Sequence, residues 1–429
     1  MKSSTLFHPC SQMKDYETFP PLEIIGSHQS YLHLRDGRKV IDAISSWWCK
    51  SLGHQHPRLK RALQDQIEKF DHMILANTTN ETIMTLSERL TSLSPSLNKV
   101  MYASDGSCAV EMAMKMSLHA RLIEGNAKRK QFIALENGYH GETVGALSVS
   151  DMGIYREPYQ DLLFDAHFIS SPYVNGVNDT LWHDSELHWQ RIVKKLEPIA
   201  DTVTAVILEP IVQGAAGMKI YSQDFLKRLR KWTEENDIHL IADEIMTGIG
   251  RTGKMLACEH AGIEPDFMCL SKGLTGGWLP LSAMLMRSSI YDLFYDDYAS
   301  GKSFLHSHTH SGNVLAASVA IEVLKVIQEE DLCARANEIG KIMLSNMQAI
   351  ETITQKLTNV RSIGAIVAAD LIAEPGRRYG YEVYQKATEL GALLRPIGNT
   401  IYWLPPLNVE WGVIDELSDI TERAIEAVI

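Results

Sequence analysis

No stretch of the 429-residue chain approaches the unbroken apolar length that a membrane-spanning helix needs. No two of its six cysteines (Cys10, Cys49, Cys108, Cys258, Cys269 and Cys333) form a CxxC pair. They read as reduced, mostly buried thiols of a cytoplasmic protein, as in a bacterial cytosol. Lys/Arg blocks are missing and the formal net charge is −12, which argues against a nucleic-acid surface. The opening MKSSTLFHPCSQMKDY lacks an apolar core segment, so no secretory signal is expected. Internal repeats and low-complexity tracts are absent too. What remains is 45% hydrophobic and 22% charged, enough at this length for one large domain with a smaller one attached.

The runs VMYAS, QFIALEN, AVILEP, HLIADE and DFMCLS are short and almost continuously apolar, each followed by Gly-rich or helical sequence. That texture predicts buried parallel strands joined by helices. QDFLKRLRKWTEEN, with Phe225, Leu229 and Trp232 on one stripe, predicts a crossover helix. Asn313 predicts the cap of another, NVLAASVAIEVLKVIQEE. Near the start, YLHLRD and KVIDA around a DG turn predict a hairpin. Leu59, Leu63 and Ile67 predict the apolar face of a helix after it. Beyond residue 335 the pattern mixes α and β. The expected fold class is α/β: a large, mostly parallel sheet domain over 91–334, and a smaller α+β domain built from residues 335–429 together with the segment 1–90.

Open α/β sheets place their chemistry at the C-terminal ends of their strands. Those ends are Ser104-Asp105-Gly106-Ser107, Asn137-Gly138-Tyr139-His140, Glu209-Pro210, Asp243-Glu244 and Lys272-Gly273. A lysine closing an apolar strand is costly unless something uses it. Such a lysine can form an imine with an aldehyde, and the cofactor that meets such lysines is pyridoxal phosphate. DGSCAVEMAMKMS offers a phosphate the start of a helix at Gly106 and Ser107, with Ala109, Ala113 and Met116 as its apolar face. Alone, that loop reads equally well as an ordinary capped turn. Asp243 can hold a pyridine nitrogen protonated from a strand beside Lys272, whereas alone it reads as well as a helix cap. Tyr139 and Ile245 can cover the two ring faces.

Rival motifs are weaker. GIGRTG (248–253) matches a dinucleotide fingerprint but does not open a βαβ unit, and GIGRTGKM has Met255 where a nucleotide loop needs Ser/Thr. HSHTH (306–310) offers three alternate histidines for zinc, but reads better as a polar loop, so no metal is expected. Glu209 and Asp243 as a glycosidase pair would leave Lys272 unexplained.

The segments DGRKVIDAISSWWCKSLGHQHP, DGSCAVEMAMKM, ENGYHGETVGALSV, ILEPIVQGAAGM, LIADEIMTGIGRTGKMLACEHAGIEPD, LSKGLTGG and LLRPIGNTIYWLPP resemble the class III pyridoxal-phosphate aminotransferases of fold type I. The resemblance implies a homodimer with shared active sites and no membrane or nucleic-acid partner. It implies Lys272 as the imine-forming lysine, Asp243 as the partner of the pyridine nitrogen, Gly106 and Ser107 as the phosphate loop, and Tyr139 as the ring-stacking residue. Thr309, with His308 before it, matches a threonine that reaches the phosphate from the other subunit; Ser307 lies beside the substrate. Trp48 matches a pocket wall, Tyr402 a pocket tyrosine and Arg395 the receptor of a substrate carboxylate. Cys10 stands where the family often has a tyrosine that helps to choose the amino donor. SSWW, EPIVQGAAGM and RPIGNTIYWLPP imply the branch that forms 7,8-diaminononanoate from 8-amino-7-oxononanoate in biotin synthesis, with S-adenosylmethionine as donor. Other class III reactions, on an ω-amino acid, ornithine or a diamine, stay open. So do an aminomutase and a non-catalytic regulator on the same scaffold.

Overall fold

All five apolar runs become strands of one seven-stranded sheet in the computed structural model, which describes residues 5–429. Across the sheet the order is Lys99–Ala103, Ser282–Met286, Phe267–Leu270, His239–Asp243, Val203–Leu208, Gln131–Leu135 and His167–Ile169. Only Ser282–Met286 runs against the others. The four central strands are buried along their whole length, because both faces are covered. On one face Ala109, Ala113 and Met116 of the Gly106–Ile123 helix pack with Phe267, Cys269 and Met284. On the other, Phe225, Leu229 and Trp232 of the Gln223–Glu235 helix pack with Val206, Leu208 and Leu240.

The two chain ends meet in smaller sheets. Tyr31–Leu34 and Lys39–Asp42 form the expected hairpin, with Gly37 at φ 90° in its turn. Residues 392–393 then pair in parallel with Lys39–Asp42 through Ala392 and Ile41, tying the C-terminal part to the N-terminal one. An antiparallel sheet of Leu357–Ile363, Ile366–Leu371 and Thr400–Trp403 lies with the Leu332–Thr354 and Trp411–Val428 helices. Asn313 caps the Val314–Glu329 helix, its Oδ1 accepting from the Ala316 N–H at 3.1 Å. The Pro57–Ile67 helix buries Leu59 and packs Leu63 on the same core, but Ile67 is 53% exposed: in the last turn Gln66 takes the buried position instead.

GIGRTG has a structural role. Arg251 is buried and donates to the carbonyls of Ala365 (3.2 Å) and Pro405 (2.7 Å), which belong to the C-terminal part. Burial lowers its pKa to about 9. Gly253, at φ 84°, lies so close to Asn337 that a β-carbon would overlap its side chain.

Candidate active site

The ends of the parallel strands converge on a cavity of about 440 Å³ lined by Ser104–Ser107, Tyr139, Glu209, Asp243, Ile245, Lys272 and Trp48. Asp243 and Lys272 arrive on neighbouring parallel strands, with Asp243 opposite Cys269. Lys272 sits at φ 44°, a left-handed conformation that disfavours a side chain. Its Nζ lies 4.7 Å from the centre of the Trp48 ring. Burial lowers the pKa of Lys272, opposed by the nearby Asp243, Glu209 and Cys49, so the neutral amine is favoured over what water would allow.

Asp243 is 4% exposed and held by two hydrogen bonds. Its Oδ1 accepts from the Ile245 N–H at 3.1 Å, and its Oδ2 is 2.8 Å from Nδ1 of His140. Each carboxylate oxygen retains a free lone pair for a further donor. His140 is buried, with its Nε2 unpartnered.

Glu209 is the second buried carboxyl of the cavity. Its oxygens accept from the N–H groups of Tyr139 (3.0 Å), in the cavity wall, and Gly214 (2.9 Å), fixing the backbone at both points. Burial raises its pKa to about 7; His140 opposes this and the charge of Asp243 adds to it. Tyr139 donates its hydroxyl to Oε1 of Glu142 at 3.1 Å.

Gly106 and Ser107 open the Gly106–Ile123 helix. Asp105 caps it by accepting from the Cys108 N–H, which leaves the other first-turn N–H groups without intrahelical acceptors. A β-carbon on Gly106 would lie 2.8 Å from Cδ1 of Ile245 across the cavity floor. One on Gly141, at φ 124°, would overlap the Ser107 hydroxyl. These turns therefore pack at backbone distance.

Trp48 and Tyr402 form one buried unit, the indole N–H donating to the Tyr402 hydroxyl at 3.0 Å. Arg395 lies beyond Trp48, against a second cavity of about 440 Å³ that Cys10 also lines. Its guanidinium rests 4.4 Å from the ring centre of Trp47 and donates to the Cys10 carbonyl at 3.1 Å. Ser307, His308 and Thr309 are not brought to the cavity of their own chain. They lie in a loop where His306 and His308 pair Nε2 to Nε2 at 3.2 Å, and His72 meets the Thr309 carbonyl at 2.8 Å. Among the described residues no group of three His, Cys, Asp or Glu could hold a metal.

The class-III aminotransferase family model matches residues 13–425. The chain belongs to this family. The fold is therefore that of the fold type I aminotransferases, which implies pyridoxal phosphate as cofactor. The adenosylmethionine-8-amino-7-oxononanoate aminotransferase of Helicobacter pylori is 38% identical over 405 residues, which is 94% of this chain and 91% of that protein. Its counterpart in Aquifex aeolicus is 37% identical, over 98% and 95% of the two chains. Among solved structures, the enzyme of that name from Methanocaldococcus jannaschii superposes with a TM-score of 0.92 at 32% identity, covering 99% and 97%. An amine transaminase from an uncultivated Pseudomonas species, in its PLP-bound form, gives 0.92 at 29% identity, covering 100% and 99%.

Three residues of this aminotransferase site take roles that the sequence does not assign to them. His140 carried a signal, standing next to Tyr139 at a strand end. Glu209 stands at a strand end as a carboxyl, a placement that suggests acid/base work and gives no sign of the two backbone N–H groups it holds. Trp47 had none beyond its neighbour, since adjacent residues of a turn face different directions.

Proposed function

We propose that this aminotransferase converts 8-amino-7-oxononanoate to 7,8-diaminononanoate on bound pyridoxal phosphate, with S-adenosylmethionine as amino donor, in biotin formation. The observation that carries the reading is the separation of two ends of one site. The amine of Lys272, its pKa lowered by burial, stands over the Trp48 ring, and the guanidinium of Arg395 stands over the ring of the neighbouring Trp47. A substrate with a ketone near one end and a carboxylate at the other would bring one group to each of these two cations. The relatives carry names for the same reaction.

The donor set fits the cofactor. Gly106 and Ser107 would hold its phosphate, Asp243 its ring nitrogen, Tyr139 and Ile245 its two faces, and Lys272 its aldehyde carbon. When bound, the cofactor supplies an electron sink for the carbon that loses its proton. Asp243, with both oxygens already oriented by Ile245 and His140, would favour the protonated form of the ring nitrogen. Lys272, once free of the aldehyde carbon, would carry the transferred proton on its Nζ, which its lowered pKa suits. Arg395 receives the carboxylate, displacing the Cys10 carbonyl from its fork. The Trp48 ring excludes water from the face of the lysine.

A second subunit belongs to the working form, and Thr309 with His308 and Ser307 is assigned to the partner's site. The exposed apolar Met73, Ile74 and Leu305 around that loop support this, because a monomer rarely leaves such a cluster open.

The test loads the purified holoenzyme with candidate amines one at a time and follows the cofactor absorbance. Conversion to the aminated form by S-adenosylmethionine, and its return on adding 8-amino-7-oxononanoate, is expected. Conversion by ornithine or an ω-amino acid alone would replace this reading with another class III reaction; Cys10 makes the donor the half to test first.

A further inference from the structure

Four consecutive residues, Ser45 to Trp48, have positive φ (50°, 45°, 70° and 72°), and ψ is 58° at Ser46 and 44° at Trp47. Together they make one turn of left-handed helix, closed by Trp48 N–H to Ile44 O and Cys49 N–H to Ser45 O, both 2.9 Å. None of the four is glycine, so the local sequence opposes the turn, and something outside it must hold it.

Asp42 is the holding group. Its carboxylate is 1% exposed and faces back onto the turn. Oδ1 accepts from the Ser46 N–H at 2.9 Å, and Oδ2 accepts from the Ser46 hydroxyl at 2.6 Å. The buried His54 places Nε2 2.9 Å from the same Oδ2. Backbone bonds between Gln29 and His54, at 2.7 and 3.0 Å, fix that histidine in turn. At the other edge Ser45 donates its hydroxyl to the Leu404 carbonyl at 2.7 Å.

The turn carries both tryptophans of the site. Side chains on successive helical residues are rotated by about 100°, and reversing the hand reverses the sense of that rotation. With Trp48 anchored to Tyr402 and facing Lys272, the left hand is what brings Trp47 beneath Arg395. A right-handed turn would carry one ring away from its partner.

We propose that Asp42, oriented by His54, is a positioning residue that locks the left-handed Ser45–Trp48 turn and so sets the distance from the reacting lysine to the carboxylate-binding arginine. This makes Asp42 a determinant of substrate length, although it lies behind the wall and touches no substrate. The inference rests on the reading of Arg395 as the carboxylate receptor.

The holoenzymes of wild type, Asp42→Ala, Asp42→Ala/Ser46→Gly and Arg395→Ala are compared for kcat and KM with 8-amino-7-oxononanoate. For Asp42→Ala we expect KM up by about tenfold or more, kcat within about threefold, and unchanged cofactor absorbance. Glycine tolerates the left-handed region, so Ser46→Gly in that background recovers much of the lost KM. A general loss of folding would not be repaired by adding a glycine. Unchanged KM in Asp42→Ala overturns the proposal, and so does a rise that Ser46→Gly fails to lower. Loss of kcat and cofactor absorbance in step with KM also overturns it. If Asp42→Ala does not fold, Ser46→Ala, which removes only the 2.6 Å bond, takes its place with an expected smaller rise in KM; no rise overturns the lock. An unchanged KM in Arg395→Ala sinks the carboxylate reading itself. A rise there without one in Asp42→Ala sinks only the lock.

Discussion

Lys272 combines a left-handed backbone, a covered amine and three nearby anionic or acidic groups, a costly set of conditions for any residue without a task. Lys272→Ala is expected to keep cofactor affinity but lose the borohydride-reducible link to protein. Activity falls by about 10²–10⁴, the usual worth of one positioned acid/base. A reduced adduct mapped by mass spectrometry to another lysine would sink the assignment. Glu209 gives a prediction in pH. Its pKa is about 7 in the folded chain against an ordinary 4.5, so the folded state holds the proton more tightly. Stability from this group therefore falls as pH rises from about 4.5 to 7, with the loss complete above 7, and amounts to roughly 3 kcal/mol. Glu209→Gln loses an acceptor for the Gly214 N–H at every pH but escapes that titration. The Tm difference between variant and wild type, measured without cofactor, should move in the variant's favour from pH 5 to pH 8. A difference independent of pH would show that Glu209 is ionised throughout.

At the scale of elements, the strand-to-helix turns decide whether a phosphate can be held. Gly141, in the turn after the Gln131–Leu135 strand, backs directly onto Ser107 at the start of the Gly106–Ile123 helix. Gly141→Ala adds a clash with Ser107 and a disfavoured φ of 124°, for about 1–3 kcal/mol of strain. Its main effect is expected on cofactor retention: dialysis should strip the variant while wild type stays loaded. Equal retention would mean that Ser107 does not hold the phosphate. The sequence made these turns legible because glycines and a capping aspartate follow apolar runs of strand length. It did not make the Ser45–Trp48 turn legible. Its left hand costs about 1–2 kcal/mol per residue and comes from Asp42 and His54, not from local preference. SAMLM, which is not among the five runs, supplies the antiparallel strand, placed between two strands that are parallel to each other.

For the whole molecule, the question is where Thr309 acts. If it serves the partner's site, mixing Lys272→Ala chains with Thr309→Ala chains gives heterodimers with one doubly impaired site and one intact site. Activity should then recover toward half of wild type per heterodimer after the mixture is unfolded and refolded. With Thr309 acting in its own subunit every site keeps one lesion, so confirmed heterodimers without recovery would rule out sharing. The test needs Thr309→Ala to be damaging alone, which its own assay reports.

The sequence by itself determined five of the seven strands of the sheet and the contents of their C-terminal ends. A buried parallel strand must be apolar throughout and must end in a turn, so Asp243, Lys272, Tyr139 and the Gly106–Ser107 loop announce themselves at the points where apolar runs stop. Only the tertiary structure decided what orients them. His140 on Asp243, Glu209 on the Tyr139 backbone and Asp42 on Ser46 are bonds across 103, 70 and 4 positions. In each, a buried carboxylate takes its partners from whatever the packed chain presents. Even the shortest of the three depends on His54 and on the strand pairing around it. The pairing of Arg395 with Trp47 joins residues 348 positions apart through the meeting of the two chain ends, for which no local pattern exists. Periodicity and turn chemistry are properties of neighbours along the chain. The partners of a buried charge are set by the fold that excludes water from it.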